Sequence, residues 1–319
     1  MIALRYNFVK NPRIQALPMQ VSKVHVLAGH RDCVYTLEAS EQPHTFFSAA
    51  GDGMVVRWDL RQPEEGQLIA RLPTSVYAVH YVPGTKLLIA GQNYEGIHVL
   101  DYETPREQAS LKLTGAAIFD IKSRKNHIWI ACGDGSVVIV DWVHWNILHR
   151  IQVSDKSARC LAIHPHTGEV AVGYSDCYIR IFDGDSFELK HEWIAHQNSV
   201  FSVSFDPAGK RLLSTSRDAR IKSWPWPQVE PPVEVVAHLF AVNHLAWSDD
   251  QIHFATGSMD KSVKIWRADE MKLVKVIDKA RHAGHGTSVN KLLWTSFNHW
   301  LVAASDDRTI SVWQIESDK

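Results

Sequence analysis

The sequence has little of what marks several large classes of protein. Its formal charge is −1 over 319 residues, with 34 basic against 35 acidic side chains. That balance excludes a general grip on nucleic acid, which needs a basic face, although a local basic patch is compatible with it. No apolar run approaches the roughly 18–20 residues of a membrane span, so no membrane partner is expected. Between Met1 and Lys10, Arg5 and Asn7 interrupt any apolar stretch of the kind a secretion signal needs. A cytoplasmic location is the expectation. Cysteine is scarce: Cys33, Cys132, Cys160 and Cys177 show no CxxC spacing and are expected as free thiols in strands. No GxxxxGK[ST] loop is present, and Gly115-Ala-Ala leads into no helical pattern. A phosphate loop and a dinucleotide fingerprint are thereby excluded, and no cofactor is expected.

What the chain does have is a repeat. His196, Asp218 and Trp224 stand 22 and 6 residues apart, and the same spacing recurs at His30/Asp52/Trp58, His238/Asp260/Trp266 and His285/Asp307/Trp313. A period near 42 residues signals stacked units. Each unit reads as short alternating strands cut by turn residues: Thr45-Phe-Phe-Ser-Ala-Ala, then Gly51-Asp-Gly, then Met54-Val-Val-Arg-Trp-Asp. Counting third strands from Trp58 gives further units at steps of 42, 40, 42, 42, 42 and 47 residues, seven in all. The extra residues of the last step are read as a longer loop at Arg281-His-Ala-Gly-His-Gly. Residues 1–22 precede the repeats and are read as an extension containing Pro12 and Pro18. Met19 stands just before the first repeat, where translation could also begin.

The His–Asp–Trp spacing, the Gly29-His30 opening and the Trp58-Asp59 ending resemble the WD-repeat β-propeller family. The resemblance covers residues 23–319 and implies an all-β fold: seven four-stranded antiparallel blades around a channel. The chain ends after a third strand, so Val24-His-Val-Leu-Ala is expected to complete the last blade. The family also implies an internal network. His30 would bridge Asp52 and Ser48, with Ser48 reaching Trp58. His196, Ser214, Asp218 and Trp224 form a second set, and His238, Thr256, Asp260 and Trp266 a third. The last blade keeps His285, Asp307 and Trp313 but has Ala303 in the serine place. Blade two has Leu72 and Tyr94 in the histidine and aspartate places. Blade three keeps Asp134 without a histidine, and blade four keeps Asp176 with Ser154 and Phe182. Blades two to four are expected to rely more on apolar packing.

A Ser/His/Asp trio also belongs to hydrolases. A trio copied three times, each with a tryptophan, is a structural device instead. His282 and His285 lack further ligands at metal spacing, so no metal is expected. The resemblance further implies a top face that binds partners. Its central ring maps to Tyr35, Tyr77, Phe119, Arg159, Phe201, Asn243 and Asn290. Turn positions add Arg217, Met259 and Asp306, and Cys33, Ser75 and other small residues stand between. Aromatic and arginine side chains dominate interface energetics. The expected function is a non-enzymatic scaffold binding a protein or peptide segment, with Tyr35, Tyr77, Phe119 and Phe201 as apolar anchors and Met259 among the partner-binding residues. Arg159 and Arg217 would clamp an acidic group. Two alternatives stand beside it. One is a channel enzyme of the propeller lactonase type, disfavoured because Asp306 is the only acid among the mapped positions. The other is a substrate receptor of a cullin-based ubiquitin ligase, docking through Trp58-Asp59-Leu60-Arg61.

Overall fold

Strands of five or six residues separated by tight turns pair most readily with their sequence neighbours. In the computed structural model, which describes residues 19–227 and 231–316, they do so seven times over. Seven four-stranded antiparallel sheets form, six of them in chain order. The first blade is Val34–Ala39, Thr45–Ala50, Met54–Asp59 and Gln67–Arg71. The seventh takes Val289–Trp294, Trp300–Ser305 and Ile310–Glu316 from one end of the chain and Gln20–Leu27 from the other. Gln20 faces Glu316 and Leu27 faces Ile310, so the ring closes antiparallel. This strand starts at Gln20, ahead of the expected Val24. Residues 1–18 of the expected extension lie outside the described residues.

The core is divided among the blades. In Thr45–Ala50 every residue is buried, because alternate side chains meet different neighbours. Phe46 packs with Val302 and Val312 of the seventh blade, while Phe47 packs with Val79 and Leu88 of the second. Seven such clusters, one per blade interface, hold the ring together. Met19 is buried in the cluster that joins the last two blades.

Three expectations need correction. All four cysteines are free, but only Cys132 and Cys160 lie in strands; Cys33 and Cys177 sit in turns at strand entrances. The loop at Arg281 carries one helical turn, Lys279–His282, because Asp278 caps it by accepting from the Arg281 amide at 2.9 Å. The departing blades also do not share one solution. Blade two fills the network's places with apolar side chains, Leu72, Ala90 and Leu100 standing in the histidine, serine and tryptophan places of one cluster. Blades three and four instead rebuild polar contacts to the turn aspartate. Thr114 donates to Asp134 at 2.6 Å. Arg180 donates to Asp176 at 2.8 Å and to Glu192 at 2.9 Å, with its guanidinium 4.7 Å from the Tyr174 ring.

In blades one, five and six the full set is joined. Trp58 donates to Ser48 at 2.8 Å, His30 Nε2 lies 2.8 Å from that hydroxyl, and His30 Nδ1 lies 3.4 Å from Asp52. For Trp224, Ser214, His196 and Asp218 the steps are 2.9, 2.8 and 3.0 Å. For Trp266, Thr256, His238 and Asp260 they are 2.8, 2.9 and 2.8 Å. An indole can only donate, so the hydroxyl oxygen accepts from it and is left one proton for the imidazole. Blade seven substitutes backbone for the missing hydroxyl. His285 Nε2 meets the Ala303 carbonyl at 3.2 Å, and Trp313 donates to the His282 carbonyl at 3.2 Å.

Candidate partner-binding face and central channel

The innermost strand of every blade carries one irregularity at the same place. Pairing slips between Val34 and Thr36, and likewise at Tyr77, Phe119, Arg159, Phe201, Asn243 and Asn290. A bulge adds an unpaired residue and re-aims its side chain. Here the seven bulged residues form one layer at the channel mouth. Tyr35 meets Tyr77 edge-on with ring centres 4.5 Å apart, and Tyr77 stacks on Phe119 at 5.9 Å. The Arg159 guanidinium lies over Phe119 at 3.9 Å and Phe201 at 4.9 Å. Asn243 donates to the Val289 carbonyl, and Asn290 to the Val34 carbonyl and Asp306, which closes the layer back to blade one.

The structure therefore brings Tyr35, Tyr77, Phe119, Arg159 and Phe201 together. Arg217 and Met259 lie further out, exposed on turns of blades five and six. Burial pulls the Arg159 pKa down, and the Arg217 charge adds to that effect, so the two cations share a field. The small residues between them are tied to the scaffold. Ser75 donates to the Gly51 carbonyl and Ser157 to the Gly133 carbonyl, each reaching back one blade. Leu239 and Phe240, which the positional mapping missed, join Met259 on this face and are 83%, 62% and 52% exposed. They follow His238 directly, and their type alone marked them.

Below the mouth lies a channel of about 1050 Å³. The bulge makes consecutive residues line it: Phe119 with Asp120, Arg159 with Cys160, Asn243 with His244, and Asn290 with Lys291. Strict alternation hides the second member of each pair. Besides Asp206 and Asp306, the channel lining thus holds Glu38 and Asp120, which corrects the expectation of a single acid. Both are engaged. Against burial, Lys122 and His80 pull the Glu38 pKa down to about 2, with His80 Nδ1 2.7 Å away. Asp120 accepts from the Leu161 amide at 2.8 Å and the Ile121 amide at 3.0 Å. Among the described residues no group of three or more His, Cys, Asp or Glu side chains is arranged to hold a metal ion. At the end of blade one, Arg61 folds back on Asp59 at 2.6 Å and Leu60 is buried. No helix of the described residues is long and apolar enough to cross a membrane.

The family model described as WD domain, G-beta repeat, matches residues 21–59, 145–183, 187–225, 230–267 and 276–314. The chain belongs to the WD-repeat family. Its relatives include the 66 kDa stress protein of Physarum polycephalum, 25% identical over 81% of this chain and 43% of that protein. Protein groucho of Drosophila melanogaster is 21% identical over 78% of this chain and 40% of its own length. Actin-interacting protein 1 of Caenorhabditis elegans is 24% identical over 87% of this chain and 45% of its own. The chain thus spans under half the length of these relatives. As a WD-repeat chain it keeps the His–Asp–Trp spacing in four of the five matched stretches, while 145–183 has Ser154 and Phe182 in the histidine and tryptophan places. The unmatched stretch, residues 60–144, holds blade two and the first three strands of blade three, both without the histidine.

Proposed function

We propose that this WD-repeat propeller is a non-enzymatic interaction module that receives a protein or peptide segment on its top face. The observation that carries the reading is Arg159, whose guanidinium lies 3.9 Å from the centre of the Phe119 ring and 4.9 Å from that of Phe201 at the channel mouth. Among the described residues no carboxylate or hydrogen-bond acceptor contributes to its ionisation. A planar fork held in place by its neighbours loses little entropy on meeting a carboxylate. Arg217 supplies a second charge, and Leu239, Phe240 and Met259 supply exposed apolar area beside it. Charge and apolar contact together suit a segment with an acidic side chain next to an apolar one. Actin-interacting protein 1, a relative of similar coverage, bears a protein partner in its name, in accord with a propeller used as a binding surface.

The test is affinity capture from the native host with mass spectrometry, comparing wild type with Arg159→Ala/Arg217→Ala. Thermal melts of both proteins accompany the capture. A small set of partners should fall at least tenfold in the variant while the melt stays in place; losing two charge-assisted contacts of about 1.5 kcal/mol each accounts for that and more. Equal capture by a folded variant moves the site off this face.

A further inference from the structure

In the central channel Glu38, Asp120, Asp206 and Asp306 each accept a hydrogen bond, whereas one of its two lysines is left without a partner among the described residues. Glu38 accepts from His80 and from the Tyr81 amide at 3.3 Å, and the two oxygens of Asp120 take backbone amides. Lys122 lies 4.0 Å from Asp120 and between these two acids its pKa is raised in spite of burial. Lys291, on the innermost strand of blade seven, differs. Among the described residues its ammonium makes no hydrogen bond or ion pair, and burial lowers its pKa against an upward pull from the more distant Asp120 and Glu38. The neighbouring Cys160 thiol offers no counter-charge, because burial pushes its pKa far up and keeps it protonated. His244 adds a donor rather than a charge. Its Nδ1 accepts from the Leu292 amide at 3.2 Å, and burial holds its pKa well below the ordinary value. The neutral ring must then carry its proton on Nε2.

We propose that the channel is a binding site for a small free monocarboxylate with an apolar body, its carboxylate held by Lys291 and His244. A cation left unpaired below the surface costs stability, and an arriving anion recovers it. One open cation beside a neutral donor matches a single negative charge. Glu38 and Asp120 disfavour a phosphate dianion at the same place. The walls above the cation are Phe119, Phe201 and Tyr77, which suit an aliphatic or aromatic body. The site does not rest on the top-face reading, since a free carboxylate binds whether or not a protein docks above it.

The probes are phenylacetate and hexanoate, with benzyl alcohol, inorganic phosphate and a short acidic peptide beside them. Acetylation of Lys291 by an N-hydroxysuccinimide ester, followed by mass spectrometry of the intact chain's peptides, reads occupancy without any substitution. The two carboxylates at about five times their Kd should slow labelling of Lys291 about sixfold and raise the melting temperature by on the order of 2 °C. Benzyl alcohol should do neither. Lys291→Met should abolish the thermal shift and melt no lower than wild type. Unchanged labelling with both carboxylates overturns the proposal, as does stronger protection by phosphate. Protection by the acidic peptide alone also overturns it and gives the cation to a docked segment. Failure of the top-face reading would show in the capture experiment and leave this one unaffected.

Discussion

Blades two and five solve the same packing problem with opposite chemistry. Both must fill the space between the loop that enters the first strand and the third strand of the sheet. Blade five uses His196, Ser214, Asp218 and Trp224, four polar groups joined at 2.8–3.0 Å. Blade two uses Leu72, Ala90 and Leu100 in one apolar cluster. The two sit in one ring with matching strand order. The lesson is that the network is one way to fill the position. It is valuable when complete, because each member satisfies another, and an apolar set with nothing to satisfy does as well.

The sharpest way to break that comparison is to mix the two chemistries. Ser214→Ala removes only the hydroxyl and strands the buried His196 Nε2 and the Trp224 indole. Two unpaired buried groups should cost about 3 kcal/mol, seen as a lower denaturant midpoint. Ala90→Ser puts one hydroxyl into the apolar blade and should cost about 1–2 kcal/mol. If the serine in blade two costs more than its loss from blade five, completeness is not what stabilises the network.

A second difference follows the missing histidines from blade to blade. The residue after the turn aspartate always adopts a left-handed backbone: Gly53 at φ 75, Gly135 at 86, Cys177 at 76, Ala219 at 67, Lys261 at 74 and Arg308 at 70. It is glycine where the next blade has Leu72 or Ser154 in the histidine place. It is another residue where the next blade offers His196, His238, His285 or His30. The cause is local. At Gly53 the Leu72 carbonyl would stand 2.1 Å from an added Cβ, and at Gly135 the Ser154 carbonyl 2.2 Å. At two of the turns followed by a histidine, two amides converge on the turn carbonyl instead: Ala195 at 2.9 Å and His196 at 3.2 Å on Cys177, and Ala237 at 2.9 Å and His238 at 3.2 Å on Ala219. Gly53→Ala should therefore cost about 2 kcal/mol. Ala219→Gly should gain no more than about 0.5 kcal/mol, because relief of the left-handed alanine is offset by a freer unfolded chain. Chemical denaturation of both variants checks the pair; equal and opposite effects would remove the histidine from the account.

The sequence showed the blades clearly, and the reason is physical. Trp58, Trp224, Trp266 and Trp313 mark third strands at near-constant spacing, and each unit pairs locally. The ring residues could be placed as well, since position along the first strand carries them. The charged layer beneath was hidden. Lys291 and His244 follow bulged residues, so they break the period of two that sequence reading relies on. Leu239 and Phe240 lie outside the mapped positions, and their exposure on the loop after His238 comes only from the fold. The replacement of histidine by Arg180 in blade four was equally hidden, because the arginine comes from a different strand of the blade.

Mild acid should give the smallest effect and the finest comparison between blades. Burial lowers the pKa of His30 and of His238, in each case against the pull of the paired aspartate. A histidine with a lowered folded pKa stabilises the fold fully above its unfolded value of about 6.5 and loses that contribution as pH falls below it. The paired carboxylates behave differently. Burial raises the pKa of Asp218, Asp260 and Asp307, but the hydrogen bonds and charge of His196, His238 and His285 together with hydroxyl and backbone donors lower it on balance, so their contribution is lost only below about pH 4. Between pH 7 and 5.5 the loss therefore falls on blades one and six. Blades two to four have no network histidine to protonate. Amide exchange, corrected for the intrinsic pH dependence, should accelerate at Val34–Ala39 and Val242–Trp247 over that range and stay level at Val76–Tyr81 and Ile118–Arg124. Acceleration spread evenly around the ring would mean that the blades open as one unit, and the chemistry of each would then matter only through its sum.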